Sequence, residues 1–131
     1  MKQRSILLVP LVALLALLHA VGSAQQPAKD TATDRVQRIK RFEGTTQLDG
    51  KEVRISIDTW QILNRTKLDT LKLPLPGITL VELRGGSLYT VIQGKRERRE
   101  AGDFWTLPSE VDMGIETEND SAALQTTTVA R

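Results

Sequence analysis

Apolar and polar residues trade places along the chain with three rhythms. Positions 6–18 form an unbroken apolar run, mostly Leu, Val and Ala. Across 34–42 (DRVQRIKRF), Val36, Ile39 and Phe42 recur every third position behind Asp34, a residue suited to an N-cap. One or two helical turns fit that spacing, and a solvated linker with incidental apolar anchors is the preferred reading. After Gly44 the period becomes two. Val53, Ile55 and Ile57 alternate with Arg54, Ser56 and Asp58, as in a half-buried strand. Trp60 and Ile62 continue with the opposite parity, so a bulge near Asp58-Thr59 is expected.

The second half predicts short strands separated by turn residues. Leu68, Leu71, Leu73 and Leu75 lead into Pro74, Pro76 and Gly77, a turn-rich connection. Strands are expected over 78–83, 88–92, 96–100, 104–107, 113–117 and 122–129. Gly85-Gly86, Gly94, Gly102-Asp103, Pro108 and Asn119-Asp120 lie between them. Strands this short and closely spaced, without an intervening long helix, argue for an all-β sandwich or barrel rather than a parallel α/β sheet. The charged stretch 95–100 (KRERRE) fits a solvated edge strand, where charge discourages edge-to-edge pairing.

The amino-terminal run reads as a targeting signal. Lys2 and Arg4 precede it, and Ala20, Gly22, Ser23 and Ala24 follow it. A basic start, a short apolar middle and a small-residue exit are the parts of a secretory signal peptide, with cleavage expected near Ala24-Gln25. The run is short for a membrane span, which needs about 20 residues. The expected organisation is a signal peptide over 1–24, a flexible leader with a candidate short helix over 25–43, and one β domain over 44–131. The expected location is periplasmic or extracellular, with no stable membrane anchor.

Composition sharpens this once the signal is set aside. Removing 24 residues from 131 leaves 107. Losing Lys2 and Arg4 lowers the basic residues from 18 to 16 against 16 acidic ones, so the formal charge of +2 falls to zero. No net basic field remains to suggest a nucleic-acid partner. The one histidine, His19, lies inside the signal, and cysteine is absent. A chain without His or Cys has no Ser-His-Asp triad, no thiolate nucleophile, no disulfide, no lipoprotein cysteine and no imidazole or thiolate metal site. Asn64-Arg65-Thr66 matches an N-glycosylation sequon, a pattern common by chance.

Val91-Ile92-Gln93-Gly94, then 101–108 (AGDFWTLP), then 118–122 (ENDSA), resemble the turn framework of a cupin domain. The resemblance covers about residues 78–129, with weaker support over 52–77. It implies a small antiparallel β-barrel of jelly-roll type. Cupins usually hold a metal through His-x-His, a Glu and a later His. Counted back from Gly94, those places fall on Val81, Leu83 and Ser87, and the late one falls on Met113. None offers an imidazole or carboxylate, so the family's metal chemistry is not expected here, nor is another cofactor.

If Val81, Leu83, Ser87 and Met113 face inwards, strand parity places Tyr89, Val91, Ile115 and Thr117 inside too. Leu88, Thr90, Ile92, Glu82 and Glu116 then face out. The leading expectation is a metal-free small-molecule binding or structural module. Its apolar interior site would comprise Val81, Leu83, Ser87, Tyr89 and Met113, with Trp60 or Trp105 contributing, and would suit a small apolar or aromatic ligand. A barrel filled with side chains is preferred over an open one. Two alternatives stand beside it. One is an isomerase or lyase using Asp58, Glu82, Asp103 or Glu116 without a metal, although a structural role is preferred for each carboxylate. The other is a homodimeric structural or interaction protein, with a second subunit covering the outer apolar row.

Overall fold

The computed structural model describes residues 34–131. The expected signal peptide, His19 and the first part of the leader therefore lie outside the described residues. In chain order the strands are β1 Val36–Leu48, β2 Lys51–Ile62, β3 Lys67–Leu68, β4 Ile78–Gly85, β5 Ser87–Ile92, β6 Lys95–Glu100, β7 Phe104–Leu107, β8 Met113–Glu116 and β9 Ala122–Ala130. They form two antiparallel sheets, one of five strands in the order β1-β2-β9-β4-β7 and one of four in the order β3-β8-β5-β6. The all-β expectation holds, and the strands foreseen in the second half fall where alternation and turns placed them.

The leader does not hold as expected. Residues 36–48 are a long strand, not a linker or a helix. β1 runs against β2 from Val36↔Ile62 to Leu48↔Lys51. Asp49 and Gly50, with φ of 52° and 71°, make the two-residue connection. Asp-Gly suits that turn, because both central residues must adopt positive φ for the hairpin twist to match its strands. Pairing with β2 supplies the backbone partners that a short helix of period three would have had to find within itself.

The parity change in β2 also has a different origin. No bulge falls at Asp58-Thr59; the irregularity is on β1, between Lys40 and Phe42. β2 is regular, and its inward row is Ser56, Asp58, Trp60 and Ile62, all buried. Ile55 and Ile57 face the other way. The apolar pattern of the sequence misreads this strand because two inward positions are polar. Their polarity is satisfied internally: Asp58 accepts from Arg38 Nε at 2.8 Å and from Ser56 Oγ at 2.7 Å.

On β5 the expected parity is inverted. Leu88 and Thr90 are buried, whereas Ser87 and Tyr89 are half-buried on the opposite face and Val91 is exposed. Register explains why. Ile92 lies opposite Met113 and Thr90 opposite Ile115, and directly opposed residues share a face. β8 keeps Met113 and Ile115 inside, so Thr90 and Ile92 follow. The row Leu88, Thr90 and Ile92, expected to face outwards and need a cover, is therefore largely core.

Between the sheets lies one apolar cluster that includes Trp60, Ile62, Val81, Leu83, Leu88, Trp105, Met113 and Leu124. The 69–77 connection adds Leu71 and Leu75, both buried; the Leu71 amide donates to Met113 O at 2.8 Å, fixing the connection to β8. Asn64 of the sequon is exposed, while the Thr66 hydroxyl is buried and donates to Leu63 O.

Candidate functional site

The four places where a cupin would carry metal ligands separate into two groups. Val81 and Leu83, on β4, are fully buried, and Met113, on β8, is buried with them. Val81 lies opposite Trp105 and Thr126, and Leu83 lies opposite Leu124. The Trp105 indole N–H points at Met113 Sδ, 3.4 Å away. Over the indole, 4.3 Å from the ring centroid, sits the Arg99 guanidinium. Arg99 is 16% exposed; its Nε donates to Thr90 Oγ1 at 3.1 Å and its Nη2 pairs with Glu97 at 2.9 Å. These side chains occupy the place where a metal and its substrate would sit. A valine, a leucine, a thioether and an outward serine make no ligand set for a divalent ion. Among the described residues no group of three or more His, Cys, Asp and Glu comes together to hold one.

Ser87 and Tyr89 do not join that interior. They line a polar cavity of about 180 Å³ on the outside of the smaller sheet, with Arg98, Glu118, Asn119 and Asp120. The Arg96 guanidinium stacks on the Tyr89 ring at 3.6 Å from its centroid, and Arg98 lies at 5.9 Å. Glu100, 2.6 Å from Arg98 Nε, holds that guanidinium above its ordinary pKa, with Tyr89 adding to the effect. The five residues proposed from sequence as one interior site thus divide: Val81, Leu83 and Met113 lie in the core between the sheets, and Ser87 and Tyr89 on the outer face of the smaller sheet.

Each candidate acid or base has a structural engagement. Both oxygens of buried Asp58 are taken by Arg38 and Ser56. Glu82 faces out and pairs with Arg84 at 3.4 Å, and Glu116 pairs with Arg96 at 3.3 Å. Asp103 Oδ2 accepts the Glu100 amide at 2.8 Å and closes its own turn. General acid–base work needs a carboxylate opening onto a cleft. None of the four lines the polar cavity beside Tyr89 or the apolar one beside Trp60; Glu116 borders a cleft of about 330 Å³ with Lys67, Asp69 and Arg96, where Arg96 holds it in an ion pair.

That apolar cavity, of about 220 Å³, is lined by Val36, Trp60, Leu68, Thr70, Leu71 and Lys72. An open groove of about 510 Å³ runs between 70–77 and 108–112. Sequence reading named Trp60 but missed its neighbours, and it missed Arg99 as an inward residue. The signal for Arg99 is its position opposite Leu88 across the β5–β6 hairpin, usable only once the parity of β5 is known.

Solved structures similar to the chain include cupins. A cupin superfamily protein from Desulfitobacterium hafniense matches with a TM-score of 0.58 and 13% identity, over 81% of this chain and 84% of its own. An RmlC-like cupin from Desulfovibrio desulfuricans matches with a TM-score of 0.56 and 14% identity, over 79% and 90%. The cupin domain of an XRE-family transcriptional regulator from Enterobacter cloacae gives 0.57 and 9%, over 74% and 97%. No family model matches the chain, and no curated protein does. The fold is a cupin-like jelly-roll, shared across most of the chain at low sequence identity.

Proposed function

We propose that the chain is an exported, metal-free cupin-like module with a filled barrel, working by self-association rather than catalysis. The outer face of the five-stranded sheet carries the reading. Phe42, Ile57, Thr127 and Leu80 lie along one cross-strand row of that face, and Gly44, Ile55, Val129 and Ile78 along the next. Ile78 is 60% exposed and Leu80 45%. Five strands at about 4.8 Å spacing and roughly seven residues of strand give a face of about 550 Å² in projection. Its corrugated accessible surface is larger, approaching the ~800 Å² per partner of a standard interface. Towards one end of that face Glu82 and Arg84 pair at 3.4 Å, so the surface can meet its own copy without an excess of either charge.

Leu80→Lys tests this. In a dimer the change places charge in a desolvated interface; sedimentation at micromolar concentration is expected to show a wild-type dimer and a monomeric variant. A wild-type monomer removes the proposal. A monomer whose Tm falls sharply on the same change would instead assign the cover to another segment of the chain. On an unburied face the substitution costs within about 0.5 kcal/mol.

The metal-free part has its own check. Purified protein, dialysed and measured by elemental mass spectrometry, is expected to carry no stoichiometric Fe, Mn, Ni or Zn. One bound equivalent overturns that part of the proposal. The reading of Val81, Leu83, Ser87, Tyr89 and Met113 as one ligand site has less support, because their side chains divide between core and outer face.

A further inference from the structure

The cavity beside Trp60 stands apart from both the filled centre and the apolar outer face. Its walls come from four places in the chain. Val36 comes from the start of β1, Trp60 from β2, Leu68 from β3, and Thr70, Leu71 and Lys72 from the connection that follows. The indole is fixed: Trp60 Nε1 donates to Thr126 Oγ1 at 2.9 Å, and the residue is buried. Its N–H is thus spent inside the core, and the cavity meets an indole with no free donor. Leu68 and Val36 pack against the core, and Leu71 is anchored through its amide to Met113 O. The walls are therefore preformed by β-structure and by a backbone hydrogen bond.

Polarity enters on one side. Lys72 is exposed at the rim and, among the described residues, its ammonium has no acidic partner; the Thr70 hydroxyl beside it has no side-chain partner either. The other lining side chains carry no charge. An apolar chamber with a single ammonium and a hydroxyl at its mouth is complementary to a molecule with a compact apolar body and one negative end. Size agrees. A cavity of about 150 Å³ holds benzene, and this one offers about 220 Å³.

The geometry points to a binding site for a small amphipathic monocarboxylate, its apolar body against Trp60, Leu68 and Leu71 and its carboxylate at Lys72 and Thr70. The body is about the size of a six-carbon chain. The carboxylate stays at the rim, where Lys72 keeps most of its hydration and the charge is not buried. Apolar contact supplies the affinity, and Lys72 supplies the preference for an acid over a neutral molecule of the same shape. Nothing in this site depends on self-association, because neither Lys72 nor Leu68 belongs to the outer face of the five-stranded sheet.

Hexanoate and its neutral counterpart 1-hexanol are suitable probes, added to the full protein and followed by two-dimensional NMR. The indole N–H resonances separate Trp60 from Trp105. Hexanoate is expected to shift the Trp60 signal and leave that of Trp105, with a Kd of about a millimolar, the range open to a ligand of this size. Hexanol is expected to bind about fivefold more weakly, the scale of an exposed ion pair. Lys72→Gln, a change at an exposed side chain, should erase the preference while leaving hexanol binding intact. Leu68→Phe should fill the chamber and weaken both ligands at least about tenfold. A Trp60 signal that does not respond overturns the inference, whether the chamber collapses in solution or the chain's own amino-terminal residues fill it. Equal preference for hexanoate in wild type and Lys72→Gln overturns the role of Lys72 and with it the ligand class.

Discussion

Trp105→Ala is expected to lower stability by about 3–5 kcal/mol, the range for removing a large aromatic side chain from a packed interior. For a domain of this size each kilocalorie corresponds to a fall in Tm of about 4–8 °C. Trp105 is a linchpin of the filled interior by position. It lies opposite Val81, carries Arg99 on its face and holds Met113 Sδ with its N–H. Truncation removes the stacking surface of a mostly buried guanidinium as well as the apolar contacts. Trp105→Phe keeps the ring face and gives up the N–H; it should cost markedly less. Thermal unfolding followed by circular dichroism measures both. If the barrel were an open ligand chamber, Trp105 would be a wall with little behind it, and the alanine variant would lose under about 1 kcal/mol.

The contrast between those two interiors shows what was legible in the sequence. Strands β4 to β9 were readable because each is bounded by turn residues whose backbone role is plain. Placement of the cupin ligand positions followed from Gly94 and Pro108, and Val81, Leu83 and Met113 did turn inwards. Three features were not legible, each for a physical reason. β1 is an edge strand with mostly exposed side chains, so it buries no regular face and leaves no strong period; its better signal was the Asp49-Gly50 turn. The inward row of β2 contains Ser56 and Asp58, whose burial depends on Arg38 from a neighbouring strand, a partner that alternation cannot reveal. The parity of β5 came out inverted because both of its rows mix apolar and polar residues and both rows of β6 opposite are charged, so nothing local corrects a parity counted from family spacing. Only pairing with β8 settles it.

The site was less legible than the fold. Val81, Leu83, Ser87, Tyr89 and Met113 were grouped by family spacing, and one inverted strand divides that group. The Trp60 chamber draws Val36, Leu68 and Lys72 from separate segments, and no local pattern brings them together. Lys72 in particular lies in a proline- and leucine-rich connection whose path depends on the Leu71–Met113 hydrogen bond. A residue's chemistry was visible in the sequence; its company was not.

Gly86→Ala is expected to be among the most destabilising single methyl additions in the chain, at about 4 kcal/mol or more, where Ala in the left-handed region alone costs about 1–2. Gly86 sits in the β4–β5 turn with φ of 73°, and a Cβ there would lie 2.0 Å from Ser121 O and 3.1 Å from Ala122 Cα. Those atoms are backbone at the entrance to β9, so no rotamer change relieves the clash; the turn or the strand must move. Moving the turn disturbs β5, whose Leu88 and Thr90 it aims into the core. Moving the start of β9 disturbs Ala122 and Leu124, both buried. Gly94→Ala is the internal control. Gly94 has a similar φ of 77°, yet nothing lies within 4 Å of an added Cβ. It should therefore cost only the backbone penalty, about 1–2 kcal/mol. Urea unfolding of both variants separates conformational strain from close approach, because the first is common to them and the second belongs to Gly86 alone. Equal losses would mean that the β4–β5 turn does not press on the β9 entrance as closely as this packing requires.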